Sequence, residues 1–176
     1  TDDGISPRVL PGKKHGLHHV TGVEHDETGR PNESAANRKK MMDKRLAKLK
    51  NGLRFSNPVY LNSKHDDADL LIIGFNSTRG TIQEAMERLE AEGLKVNHAQ
   101  IRQILPFPSE IVAAEMKKAR KVIVVEHNAT GQLTNLIKMN VGMADKLVHL
   151  GKYDGNPFLP SEIYKPCKEL LVHGHV

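Results

Sequence analysis

Tryptophan is absent from this 176-residue sequence, aromatic residues make up only 4%, and there is a single cysteine. One thiol, Cys167, excludes an internal disulfide, a four-cysteine zinc site and a self-supplied iron–sulfur cluster. Such sparing use of cysteine points to a reducing compartment, and the cytoplasm is expected. No run approaches the roughly 20 apolar residues that span a bilayer, and no signal-peptide pattern opens the chain, so no membrane partner is expected. The motifs GxGxxG, GxxxxGK[ST] and GxSxG are missing, which removes the usual support for dinucleotide, P-loop and hydrolase chemistry. The opening "TDDGISPRVLPG" lacks an initiator Met and reads as mid-chain loop, as in a fragment or a processed product.

What is present fits a globular protein: 38% apolar and 27% charged residues, enough chain for one domain and an attached extension. The net charge of +5 is unevenly held. Residues 1–65 carry 13 Lys and Arg against 7 Asp and Glu, whereas residues 66–176 carry 13 against 14. Much of the excess lies in "NRKKMMDKRLAKLK". With no interleaved aromatics this reads as a solvated helix face rather than a nucleic-acid site, and no nucleic-acid partner is expected.

The texture changes along the chain. Residues 1–33 are rich in Gly, Pro, His and charge without periodicity, and read as loop with too few apolar residues to offset ordering entropy. Ser34 is positioned to cap a helix running to about Leu53, with Met42, Leu46, Leu49 and Leu53 in one apolar stripe. "NGLRFSNPVYLNSKHDD" reads as a connector. From Asp66 strands and helices alternate. "DLLIIGF" (69–75), "KVNHAQI" (95–101), "KVIVVE" (121–126) and "KLVHL" (146–150) are the strands. Helices are predicted from "STRG" to Gly93, over 109–120 and over 131–140, with a last helix in "PSEIYKPCKELLV" interrupted at Pro166. This alternation specifies a three-layer α/β domain with a mainly parallel sheet and right-handed crossovers.

In such a sheet ligands gather at the carboxyl ends of the strands, here "FNSTRG", "LPFPS" and "EHNATGQ". The first and third lead into helix N-termini where an anion could sit. Asn76, Ser77, Thr78 and Arg79 form a possible anion-binding set, the plainer alternative being that Ser77 or Thr78 caps the helix. Glu126 and His127 stand at a strand end but have no sequence-local partner to complete a catalytic triad, and no catalytic residue is assigned. "HGLHHVTGVEHDETG" (15–29) holds four of ten histidines. The spacing of His15, His18 and His19 on a loop fixes no ligand geometry, so a polar loop is favoured and no metal is expected. His173 and His175 are equally uninformative.

Six stretches occur in a telling order: "SPRVLPG" (6–12), "TGVEHDETG" (21–29), "NRKKMMDKR" (37–45), "PFP" (106–108), "EHNATGQL" (126–133) and "PFLPSEI" (157–163). Together they resemble the carboxyl-terminal part of the alpha subunit of 2-oxoacid:ferredoxin oxidoreductases, especially the 2-oxoglutarate type. The resemblance implies that residues 1–65 end a pyrimidine-binding domain and that 66–176 form a domain similar to the transketolase carboxyl-terminal domain. It implies oxidative decarboxylation of a 2-oxoacid to acyl-CoA, carbon dioxide and reduced ferredoxin. Thiamine diphosphate with Mg2+, a 4Fe-4S cluster and coenzyme A would act in the full complex, with a beta subunit and ferredoxin as partners. None of these groups is expected to be held by this chain alone, which should be inert. Arg8, in the "SPR" stretch, is the candidate for the substrate carboxylate, since Arg suits a planar bidentate grip. The alternative is a non-catalytic α/β module that binds an anion or a partner subunit.

Overall fold

A computed structural model describes residues 1–173, apart from the side chains of Arg54 and Phe55. The chain divides into two compact units, 1–56 and 57 onward.

The first unit is a long loop and one helix, α1 (Ala35–Asn51), followed by a 3-10 turn at Gly52–Phe55. Ser34 caps α1 as expected, its Oγ accepting from the Asn37 N–H at 3.3 Å. Helix α1 buries no residue, and Leu46 and Leu49 of its stripe stand exposed. Polar contacts hold the loop instead. Glu24 receives Arg38 and Arg45, each at 2.7 Å, and these two guanidiniums hold its carboxyl down at about 2, Arg45 contributing most. Asn37 Nδ2 donates to the carbonyls of His25 (3.1 Å) and Asn32 (2.8 Å). Gly29, buried with φ +77°, closes "TGVEHDETG": a Cβ there would fall 1.9 Å from the His19 carbonyl oxygen. The two motifs "TGVEHDETG" and "NRKKMMDKR" are thus halves of one clasp.

The second unit is the α/β domain. Its elements are β1 (Val59–Asn62), β2 (Ala68–Phe75), α2 (Arg79–Ala91), β3 (Val96–Ile101), α3 (Ser109–Lys118), β4 (Ala119–Glu126), α4 (Gln132–Asn140), β5 (Leu147–Gly151) and α5 (Pro160–His173). The sheet order is β1-β3-β2-β4-β5. The four expected strands are parallel to one another. Leu71, Ile73, Val122 and Val124 face α3 and α4, while Leu70, Ile72, Ile123 and Val125 face α2 and α5. All eight are fully buried, as a strand covered on both faces requires.

Three readings need correction. The connector contains β1, which pairs antiparallel with β3 from Val59↔Ile101 to Asn62↔His98, so the sheet is mixed. The helix expected over 109–120 ends at Lys118, because Ala119 pairs with Ala68 and opens β4. Helix α5 runs through Pro166 without interruption. Ile163, Cys167 and Leu170 are fully buried along one stripe, and that packing outweighs the hydrogen bond that proline removes.

Candidate functional site

Each unit carries a cleft. In the second unit, a cleft of about 350 Å³ lies at the carboxyl ends of β2 and β4, its lining including apolar Phe75, Ile104 and Leu136 and polar Asn76, Ser77 and Asn128. Of the two helix N-termini beside it, only the one after β4 is capped by a side chain of the protein's own. At β2, Thr78 is buried; its Oγ1 accepts from the Phe75 N–H (3.2 Å) and donates to the Phe75 carbonyl (3.1 Å). The Arg79 guanidinium lies over the Tyr60 ring, 3.9 Å from its centroid. Asn76, in the left-handed region at φ +57°, and Ser77 do line the cleft. The set expected from sequence is therefore divided: Asn76 and Ser77 line the cleft, the Thr78 hydroxyl turns back onto Phe75, and Arg79 stacks on Tyr60.

At β4 the anion is the protein's own. Glu126, 4% exposed, turns its carboxylate onto the start of α4. Oε2 accepts from the Leu133 N–H (2.7 Å) and from Asn128 Nδ2; Oε1 accepts from the Thr134 N–H (3.1 Å) and Thr134 Oγ1 (2.7 Å). Burial pushes its carboxyl up, and the bonds from Asn128, Thr134 and the two backbone amides together hold it below the ordinary range. His149 Nε2 stands 3.6 Å away. Glu126 is a helix cap, not a free acid. His127 is exposed, its ring 4.9 Å from that of Phe158. Under the β2 end, His98 is buried and bonded through Nε2 to Gln100 Oε1 (3.0 Å), whose amide donates to the Asn76 carbonyl (3.1 Å). Burial, more than any other influence, pulls its imidazole down to about 4. Nothing in the pattern of "KVNHAQI" marked this chain of bonds.

In the first unit, Arg8 lines a cleft of about 490 Å³ with Ile5, Val9, His15, His18 and Lys48. Helix α1 seats that loop. Gly4, buried with φ +79°, packs so tightly that a Cβ would meet the Lys44 carbonyl at 2.6 Å and the Lys48 nitrogen at 2.7 Å. Lys44 Nζ also donates to Ser6 Oγ at 2.5 Å. Among the described residues no three His, Cys, Asp or Glu side chains converge as a metal site. His18 Nδ1 bonds the Gly16 carbonyl and His25 Nδ1 the Val23 carbonyl. His175 lies outside the described residues. Cys167 is buried, which pushes its thiol up to about 12. No helix of the described residues is long and apolar enough to cross a membrane.

Residues 68–163 match the family model for pyruvate:ferredoxin oxidoreductase core domain II. The 2-oxoacid:ferredoxin oxidoreductase alpha subunit of Saccharolobus solfataricus is 35% identical over 99% of this chain, which spans 27% of that subunit's length. A solved structure, 2-oxoglutarate:ferredoxin oxidoreductase from Magnetococcus marinus with 2-oxoglutarate, coenzyme A and succinyl-CoA bound, is 37% identical with a TM-score of 0.89. It covers 97% of this chain, which spans 30% of that chain. A split-gene transketolase matches at 16% identity and a TM-score of 0.55 over 66% of this chain and 42% of its own, a likeness of fold alone. The alternative of a non-catalytic module is not favoured by these matches. The chain belongs to the pyruvate:ferredoxin oxidoreductase core domain II family, among the alpha subunits of the 2-oxoacid:ferredoxin oxidoreductases.

Proposed function

We propose that this chain supplies the carboxyl-terminal portion of the alpha subunit of a 2-oxoglutarate:ferredoxin oxidoreductase. The observation that carries the reading is the 37% identity to the Magnetococcus marinus enzyme across 97% of the chain. The reaction is oxidative decarboxylation of the 2-oxoacid with coenzyme A, yielding acyl-CoA, carbon dioxide and reduced ferredoxin. Thiamine diphosphate, when bound with Mg2+, supplies the electron sink for decarboxylation. The residues described here do not fit it or a 4Fe-4S cluster: no acidic group of three converges, and the one thiol is buried and held protonated. Those groups are assigned to the beta subunit and to the rest of the alpha subunit, with ferredoxin as the electron acceptor and the cytoplasm as the compartment. Residues up to about 65 end the pyrimidine-binding domain, and those from 66 form the transketolase carboxyl-terminal-like domain.

What this chain contributes is binding and orientation. Arg8 is our candidate for the carboxylate next to the keto group, a reading supported by its exposure in the cleft and by its having no carboxylate partner among the described residues. A guanidinium fork fixes the plane of that carboxylate as well as its charge, which sets the bond to be broken in one orientation. The test is ferredoxin reduction by the purified alpha–beta complex with coenzyme A. Turnover of 2-oxoglutarate by the complex and none by this chain alone is expected; a complex inert toward every 2-oxoacid refutes the reading.

A further inference from the structure

The cleft around Arg8 holds more positive groups than one carboxylate needs. Arg8, Lys48, His15 and His18 line it, and no Asp or Glu does. Four of the other six cations of α1 are engaged, Arg38 and Arg45 with Glu24, Lys40 with Glu27 and Lys44 with Ser6, and the remaining two, Lys39 and Lys50, do not line this cleft. Lys48 meets no acceptor among the described residues, and neither does Arg8. Their nearness does not depend on flexible side chains. The Gly4 backbone lies against the turn of α1 that bears Lys44 and Lys48, which brings the "SPR" loop and Lys48 to one cleft. His18 lines the same cleft, its Nδ1 bonded to the Gly16 carbonyl at 2.7 Å and its Nε2 left without a partner among the described residues.

We propose that Lys48, with His18 beside it, takes the second carboxylate of a dicarboxylic 2-oxoacid whose first carboxylate is gripped by Arg8. The inference rests on the functional reading above and deepens it. The division of labour follows from the chemistry of the two cations. The carboxylate that leaves as carbon dioxide must be held in one plane, which a guanidinium fork does. The distal carboxylate needs only its charge met at the right reach, and an ammonium on a four-carbon stem does this. A monocarboxylic 2-oxoacid would leave Lys48 facing nothing. Selectivity for the dicarboxylic substrate would then come from a cation on α1.

The experiment compares kcat/KM for 2-oxoglutarate and for monocarboxylic 2-oxobutyrate in the alpha–beta complex, with the parent, Lys48→Met, Lys48→Arg and His18→Asn. For Lys48→Met the ratio of 2-oxoglutarate to 2-oxobutyrate should fall roughly tenfold or more, chiefly through KM. Lys48→Arg keeps the charge and should restore the ratio to within about threefold of the parent. His18→Asn should lower it by a smaller factor. A ratio unmoved within about twofold by Lys48→Met overturns the proposal. So does a raised KM for coenzyme A with the ratio unchanged, since Lys48 would then face a phosphate. A parent complex that turns over neither acid overturns the functional reading, and this inference with it.

Discussion

Replacing Glu126 by glutamine keeps the shape of the side chain and removes the charge that closes the start of α4. The carboxylate now accepts from two backbone N–H groups, the Thr134 hydroxyl and the Asn128 amide, while 4% exposed. A glutamine oxygen can serve the Leu133 and Asn128 side. Its NH2 must then face Thr134, where the hydroxyl can turn to accept but the N–H cannot. One buried N–H is orphaned, costing about 1–3 kcal/mol, and the surviving bonds lose their charge assistance. The dipole of α4 also loses its anion, worth about 0.3–2 kcal/mol. We expect a loss of about 3 kcal/mol, or roughly 6–12 °C in Tm for a chain of this size. Glu126→Asp keeps the charge but falls one methylene short, and should lose less.

Urea unfolding followed by far-UV circular dichroism checks the magnitude, and its pH dependence checks the cause. The unfolded carboxyl titrates near 4.5 and the folded one lower. The parent's advantage over Glu126→Gln should therefore be full above the unfolded value and vanish as pH falls through the folded one. Glutamine does not titrate, so the difference between the two curves isolates this one group. A loss under about 0.5 kcal/mol, or an advantage that grows on acidification, refutes the capping argument.

In the alpha–beta complex, Arg8→Lys should cost roughly 30-fold or more in 2-oxoacid kcat/KM with assembly intact; activity within about twofold of the parent removes Arg8 from the site. Gly29→Ala places a Cβ 1.9 Å from the His19 carbonyl at a φ of +77°, so hydrogen exchange across residues 19–29 should accelerate, and unchanged protection would contradict the clasp. Cys167, fully buried with its thiol pushed up to about 12, should resist alkylation at pH 8 until the chain is unfolded by urea.

The interior of the sheet could be read directly because it is apolar on both faces. Leu70 to Ile73 and Val122 to Val125 leave no other placement for themselves, and the helical stripes Ile82–Leu89 and Ile163–Leu170 complete the layers. Strand β1 escaped notice because it is a four-residue edge strand with one buried residue, Val59, inside a polar stretch. The boundary at Ala119 escaped because "MKKAR" favours helix locally, and only pairing with Ala68 decides otherwise. Arg8 was found through the resemblance alone. The role of Glu126 was hidden by distance along the chain: its donors Leu133 and Thr134 lie seven and eight residues on. An acid ending a strand, followed by Gly131 and a helix with Thr134 in its first turn, is the signal that could have revealed it.

The satisfied and unsatisfied polar groups of the two units point to different work. At the strand ends of the second unit, where ligands of open α/β sheets usually sit, Glu126 already occupies the N-terminus of α4, the Thr78 hydroxyl is turned back onto Phe75, and Arg79 is spent on Tyr60. Lys152 there is paired with Glu162 at 2.6 Å. In the first unit, Arg8 and Lys48 share a cleft with no carboxylate in its lining. Folded proteins rarely gather unpaired cations in one concavity without an anion to receive, because like charges repel. Substitutions in the second unit should accordingly appear as changes in unfolding free energy. Those at Arg8 and Lys48 should appear in turnover, with unfolding unchanged within about 0.5 kcal/mol. Arg8→Ala and Lys48→Ala chains that unfold much earlier than the parent would mean that these cations hold the loop together rather than wait for a substrate.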